Sequence, residues 1–186
     1  MFHTIFNRFI SIVSIVAILV MAAAVPVQAA EFHYSSKANA IVMQGTIRMG
    51  DGAKFKVLLR HHPQANSVIL TKSVGGEYAN SLEMSLEVQR RGLNTIAVDY
   101  CRSGCAYIWL AGARREVVRA ANPEIHLPYA NATGETFPNL TYAWLDALGF
   151  PSRFAYAVVK SVGPDNRFVK LTPEFLIKFG AARPSA

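Results

Sequence analysis

Short strand-like runs that alternate with helix-like stretches predict an α/β layered fold in a single domain. Two further observations support it. Glycines punctuate the strand-to-helix junctions, at Gly75-Gly76 and Gly104. The chain left after an N-terminal leader also has one domain's length, enough to bury a core.

The leader comes first. Residues 1–8 carry Arg8 as their one charge, and residues 9–24 are apolar except for Ser11 and Ser14. Val27-Gln28-Ala29 then places small residues three positions and one position before a cut. This is the order of a secretory signal peptide. The rival is a retained anchor at residues 9–24, but that run is shorter than the roughly 20 residues a spanning helix needs. Pro26 and the alanine-rich end also suit cleavage better. The division expected is a signal peptide over 1–29 and an α/β domain over 30–186. The location expected is periplasmic or secreted, with membrane attachment only if the leader stays uncut.

The remaining elements follow in order. Residues 31–39 read as a polar lead-in, and 40–44 and 46–49 as strands parted by Gly45. Gly50-Asp51-Gly52 is a turn. Residues 53–61 carry Phe55, Val57, Leu58 and Leu59 at helical spacing, and His61-His62-Pro63 ends the helix, because proline disfavours helix in the residue before it. A short strand is read at 67–70 and a helix from 78 to 91. That helix buries Leu82, Met84, Leu86 and Val88 and stops at Gly92. Residues 94–98 form the next strand, 103–110 an apolar helix ending at Gly112, and 116–118 and 124–126 short strands. Helices are read at 138–149 and 151–162. Thr172-Pro173-Glu174 starts another, with threonine as cap and proline in the first turn.

The formal net charge is +7, which could favour an anionic partner. The charges are scattered, however. Only Arg90-Arg91 and Arg114-Arg115 are paired, without interleaved aromatics, so a basic soluble surface is the better reading and nucleic acid is not expected. Cys101 and Cys105 are the two cysteines. In an oxidising compartment an even pair four apart suggests a disulfide. The alternative is two small buried residues that never pair. Zinc needs three or four ligands, and no histidine stands at a matching local spacing, so neither a metal nor another cofactor is expected.

Three places could carry chemistry. Ser73-Val74-Gly75-Gly76 lies between a strand and a helix, where glycines let the backbone turn tightly and present N–H groups; such glycines often serve sterics alone. Cys101-Arg102-Ser103-Gly104-Cys105 occupies a second strand-to-helix junction. A serine there is first of all a cap. It is also well placed as a nucleophile, because the helix N-terminus stabilises a forming oxyanion. His126, in Glu124-Ile125-His126-Leu127-Pro128, ends a short strand, where a lone histidine is more often structural than a base.

Their order and gaps resemble the proteolytic subunit of the Clp protease. Residues 73–76 match its strand-turn, with Val74 where the family usually has proline. Ser103-Gly104-Cys105-Ala106 through Ala111-Gly112-Ala113 resembles its nucleophile helix. Asn122-Pro123 and Ile125-His126-Leu127-Pro128 are similar to its histidine segment. Asp165-Asn166-Arg167-Phe168, with Leu171-Thr172-Pro173-Glu174 and Phe179-Gly180, is similar to the segment around its third triad residue. The likeness runs from about Thr46 to Gly180. It extends to an exported, mostly uncharacterised branch of the Clp/crotonase-like superfamily with a Cys-x-Ser-x-Cys nucleophile segment.

The resemblance implies a Clp/crotonase-like layered fold of repeated β-β-α units and an exported serine hydrolase, a peptidase acting on peptides or unfolded polypeptide. Ser103 would attack a carbonyl carbon, His126 would carry the proton, and Asp165 would orient the imidazole. The N–H groups of Gly75, Gly76 and Gly104 would form the oxyanion hole. Asp99 and Asp146 are competing acids, the first too near Ser103 in sequence, the second on a surface helix. A Cys101–Cys105 bridge would close a small loop, worth about 2 kcal/mol by chain entropy, so its better use would be to lock the turn that presents Ser103. The stretch between His126 and Asp165 corresponds to the family's oligomerisation handle and is shorter here, leaving a homo-oligomer open. A non-catalytic peptide- or protein-binding module on the same fold is the second reading. Acyl-thioester chemistry of the crotonase kind is the third, disfavoured in a compartment without coenzyme A.

Overall fold

A computed structural model describes residues 29–118 and 121–182. The leader read over 1–29 lies outside these residues except for Ala29. Five strands form one sheet in chain order: β1 (Glu31–Ser35), β2 (Ala40–Gln44), β3 (Ser67–Ser73), β4 (Asn94–Cys101) and β5 (Arg115–Val118). The β1–β2 pair is antiparallel, and β2 through β5 run parallel. Parallel neighbours need a crossover. Helices α1 (Asp51–His61), α2 (Tyr78–Arg90) and α3 (Gly104–Leu110) lie in the three crossovers. Beyond β5, a two-stranded antiparallel ribbon of β6 (Glu124–Ile125) and β7 (Val169–Lys170) brackets helices α4 (Pro138–Ala147) and α5 (Ser152–Val162), and α6 (Pro173–Lys178) follows. This is the single α/β domain that the alternation of elements predicts.

The sheet's buried positions follow from its apolar strands. Ile41 and Met43 on β2, Val68 and Leu70 on β3 and Ala97 on β4 lie in one cluster with Phe55 and Leu59 from α1 and Met84 and Val88 from α2. Burial of each such side chain contributes about 1.5–3 kcal/mol. The start of α6 is as read: Thr172 Oγ1 accepts from the Phe175 N–H at 3.2 Å, with Pro173 in the first turn.

Four expectations differ. Residues 31–39 are not a plain lead-in, because 31–35 form edge strand β1. Its alternation is real, with Phe32 and Tyr34 half-buried between exposed Glu31 and His33, and Phe32 meets Phe55 at 6.1 Å. Residues 46–49 form no strand. Thr46 and Ile47 make isolated bridges only, Ile47 to Gly76. Third, α1 begins earlier, at Asp51, whose buried carboxylate accepts from the Arg48 N–H at 2.7 Å and pairs with Lys54 at 2.9 Å. Fourth, α2 faces the core with Ser81, Met84, Ser85 and Val88, whereas Leu86 is exposed and Leu82 half-buried. The small serines turn inward because α3 approaches closely there: a Cβ on Gly104 would strike the Ser81 side chain.

Candidate active site

Ser103 stands between the end of β4 and the start of α3 with φ 52° and ψ −125°. A non-glycine residue rarely adopts a positive φ, and holding one there costs about 1–3 kcal/mol. Neighbouring bonds hold it. The Arg102 N–H donates to the Ser73 carbonyl at 2.9 Å, the Ser103 N–H to the Glu124 carbonyl at 2.8 Å, and the Cys105 N–H to the Arg102 carbonyl at 3.0 Å. Cys101 and Cys105 are joined by a disulfide with Cα atoms 5.2 Å apart. Arg102 pairs with Glu124 at 2.7 Å and lies against the Tyr100 and Phe168 rings. The Ser103 turn is thereby tied to the strand that leads into His126.

The 73–76 turn abuts this segment. A Cβ on Gly75 would lie 2.5 Å from both the Arg102 carbonyl oxygen and the Gly104 nitrogen, and 2.8 Å from Ser103 Cβ. With φ 83° as well, the position requires glycine. Its N–H already donates to Ser73 Oγ at 3.2 Å, so Gly75 is a spacer rather than an oxyanion donor. Gly76 has φ 146°, and any side chain there would strike the Ile47 backbone. Among the described residues the N–H groups of Gly76 and Gly104 find no protein acceptor. The second of these is an orphan donor of the helix N-terminus.

Ser103, Gly76, Gly104 and His126 line one cleft of about 800 Å³. Its floor is aromatic. Tyr107 stacks on Trp144 at 3.9 Å, Tyr78 meets Trp144 edge-on at 5.0 Å, and the Tyr107 and Thr141 hydroxyls share a 2.9 Å hydrogen bond. Burial pushes the Tyr107 phenol up, so this wall is uncharged. Val74, Met49, Tyr129 and Phe168 form an exposed apolar rim.

His126 is buried, with Phe168 edge-on at 4.7 Å and Tyr129 at 5.3 Å. Burial is the largest influence on its pKa and holds it below the usual histidine value. The side chain at its Nδ1 is Asn166, with Nδ2 at 3.3 Å. Asn166 Oδ1 accepts from the Leu127 N–H at 2.9 Å, and Nδ2 also donates to the Leu127 carbonyl at 3.3 Å. The first of these bonds fixes which way the amide faces, so its nitrogen meets the ring.

The structure therefore brings together Ser103, His126, Gly76 and Gly104, with the Cys101–Cys105 bridge around the serine. It does not bring Asp165 to His126. Asp165 is exposed and makes no hydrogen bond to the imidazole among the described residues. Residues 163–166 form a turn, closed by Asn166 N–H to Gly163 carbonyl at 3.3 Å, in which Asn166 takes φ 49° and turns its side chain back to Leu127. Asp99 instead accepts from Thr71 Oγ1 at 3.0 Å, and Asp146 is exposed on α4. No hydrogen bond joins Ser103 Oγ to His126 among the described residues.

A strand-to-helix serine turn packed on a glycine turn, over a mixed sheet, gives the chain a Clp-like α/β fold. A mutant of 1510-N membrane-bound stomatin-specific protease is one solved structure that matches, with a TM-score of 0.52 and 16% identity over 76% of this chain and 75% of that one. At that identity the likeness is one of fold. No protein-family model matches the sequence, and no curated protein does.

Proposed function

We propose that this chain is an exported serine hydrolase, a peptidase acting on peptides or unfolded polypeptide. The observation that carries the reading is the convergence in one cleft of a serine held at positive φ, a buried histidine and two unpaired glycine N–H groups. Backbone strain at a polar residue in a cleft is a reason to suspect function. Ser103 Oγ attacks the scissile carbonyl and passes its proton to His126 Nε2. The Gly76 and Gly104 N–H groups receive the oxyanion, each worth roughly 100- to 1,000-fold in rate. His126 returns the proton to the departing amine, and water then releases the acyl group by the same steps in reverse. Asn166 orients the imidazole in place of the expected aspartate. A neutral amide lends the imidazolium no opposite charge, so this site is a weaker version of a Ser-His-Asp triad.

Cleavage of residues 1–29 and export of 30–186 to the periplasm or beyond belong to the same proposal. The buried disulfide is in keeping with an oxidising compartment. The apolar rim and aromatic floor suit apolar side chains of an unfolded segment.

The test is labelling of the oxidised protein by a fluorophosphonate probe, beside Ser103→Ala and His126→Ala. Labelling that disappears in both variants while circular dichroism stays native supports the hydrolase. The second reading, a binding module, is favoured by the missing Ser103–His126 hydrogen bond and by the neutral Asn166. It predicts a wild type that does not label and a Ser103→Ala variant that still binds peptide.

A further inference from the structure

Resting on the hydrolase reading, we infer that the Cys101–Cys105 disulfide is a positioning device for the nucleophile, a clamp that holds Ser103 at positive φ and keeps the Gly104 N–H beside that of Gly76. The bridge closes a five-residue loop with Ser103 at its centre. Cys101 is the last residue of β4, in register with Ser73 of β3, and Cys105 lies in the first turn of α3. One end of the clamp is thus fixed to the sheet beside the glycine turn, and the other to the helix whose N-terminus carries Gly104.

Three features make the clamp local. Both cysteines are fully buried in a cluster that includes Ala106, Ile108, Leu110 and Ile125. A loop this short constrains little of the unfolded chain. The residue enclosed is, among the described residues, the one non-glycine position of the cleft at positive φ. The loop also has little room on its open side, because Gly75 packs so close that a Cβ there would overlap Arg102, Ser103 and Gly104. If the bridge is removed, Ser103 can return to negative φ. That rotates the peptide unit between Arg102 and Ser103, turns the Ser103 N–H off the Glu124 carbonyl, and shifts the Gly104 N–H that follows from its place beside that of Gly76. The two backbone bonds, Arg102 to Ser73 and Ser103 to Glu124, then open more often.

The experiment compares the oxidised wild type with Cys101→Ala/Cys105→Ala and with the better-filled Cys101→Val/Cys105→Ala. Two readouts are used: the saturating rate and half-saturating concentration of fluorophosphonate labelling, and amide hydrogen exchange at Arg102 and Ser103. The clamp predicts a saturating rate lower by about 10-fold or more, short of the roughly 100- to 1,000-fold loss of a donor removed outright, with the half-saturating concentration little changed. It predicts faster exchange at Arg102 and Ser103 but not in β3. A folded variant with wild-type labelling and unchanged exchange overturns the clamp. Uniformly faster exchange throughout the sheet also overturns it, since the bridge would then act on global stability. Faster local exchange in a protein whose wild type never labels supports the clamp and refutes the hydrolase reading instead.

Discussion

Asn166→Asp should make this site a faster nucleophile, and the size of the gain can be worked from the contacts of the amide. Asn166 Oδ1 is held by the Leu127 N–H at 2.9 Å, so the group facing His126 Nδ1 at 3.3 Å is an N–H donor. A donor at Nδ1 keeps the neutral ring's proton on Nε2, the atom that must be bare to accept the proton of Ser103. Reaching the productive tautomer means giving up that hydrogen bond, at about 0.5–1.5 kcal/mol, or roughly 2- to 13-fold in population. A carboxylate at 166 can still accept from Leu127, and its second oxygen draws the ring proton to Nδ1. The tautomer term alone sets a floor of roughly 2- to 13-fold on the gain. The ceiling is roughly 10,000-fold, the cost of the reverse change from aspartate to asparagine in a serine-protease triad.

The carboxylate also raises the pKa of His126 by opposite charge. The comparison therefore belongs at a pH above the imidazole titration of both proteins, where each ring is neutral. The assay is the saturating rate of fluorophosphonate labelling, with circular dichroism as the check on folding. Ring-nitrogen NMR reads the tautomer directly, Nε2–H in the wild type and Nδ1–H in the variant. A folded Asn166→Asp protein that labels no faster than wild type at that pH, or a wild-type ring already protonated on Nδ1, refutes the reasoning.

Other outcomes follow from the same geometry. Asp165→Ala leaves labelling unchanged and shifts stability by less than about 0.5 kcal/mol, as expected of an exposed side chain without a partner, in urea unfolding. Ser103→Gly abolishes labelling yet stabilises the fold by about 1 kcal/mol, because glycine accepts positive φ while losing more chain entropy; thermal unfolding checks this. In wild type, labelling falls away on the acid side below the ordinary histidine value near 6.5, because burial depresses the pKa of His126. The same depression adds stability that is complete above that value and lost as pH falls through the folded pKa. Glu87, held by Arg90 and Arg91 at a pKa of about 2, stabilises the fold fully above about 4.5 and loses that contribution towards 2. Parallel pH scans of labelling and of circular dichroism should therefore separate, with activity lost first.

The layered fold was legible because its signals are local. Strand runs, glycine stops and the Thr172 cap depend on neighbours in sequence, and, the strand read at 46–49 apart, they fell within a few residues of the observed elements. The phase of α2 was not legible from apolar spacing, because the face that packs on α3 carries Ser81 and Ser85, chosen for size where Gly104 approaches. Strand β1 was hidden by its exposed half, whose Glu31 and His33 read as solvent-loving chain.

The site divided in the same way. Ser103 and His126 could be named from the order and gaps shared with the Clp proteolytic subunit, since alone the first reads as a helix cap and the second as structural. The structure places both in one cleft. The partner of His126 could not be named, since chemistry favoured an acid and sequence offered Asp165 beside the right position. Within the 163–166 turn, what selects the inward-facing residue is backbone geometry. The last position needs positive φ, which asparagine tolerates better than most residues, and that position is Asn166. A Pro-Asp-Asn sequence after Gly163 thus contained a usable signal, a left-handed asparagine closing the turn. The residue beside the imidazole is set by where the turn points its side chain, and in the proposed hydrolase the change from acid to amide costs both a charge and the preferred tautomer.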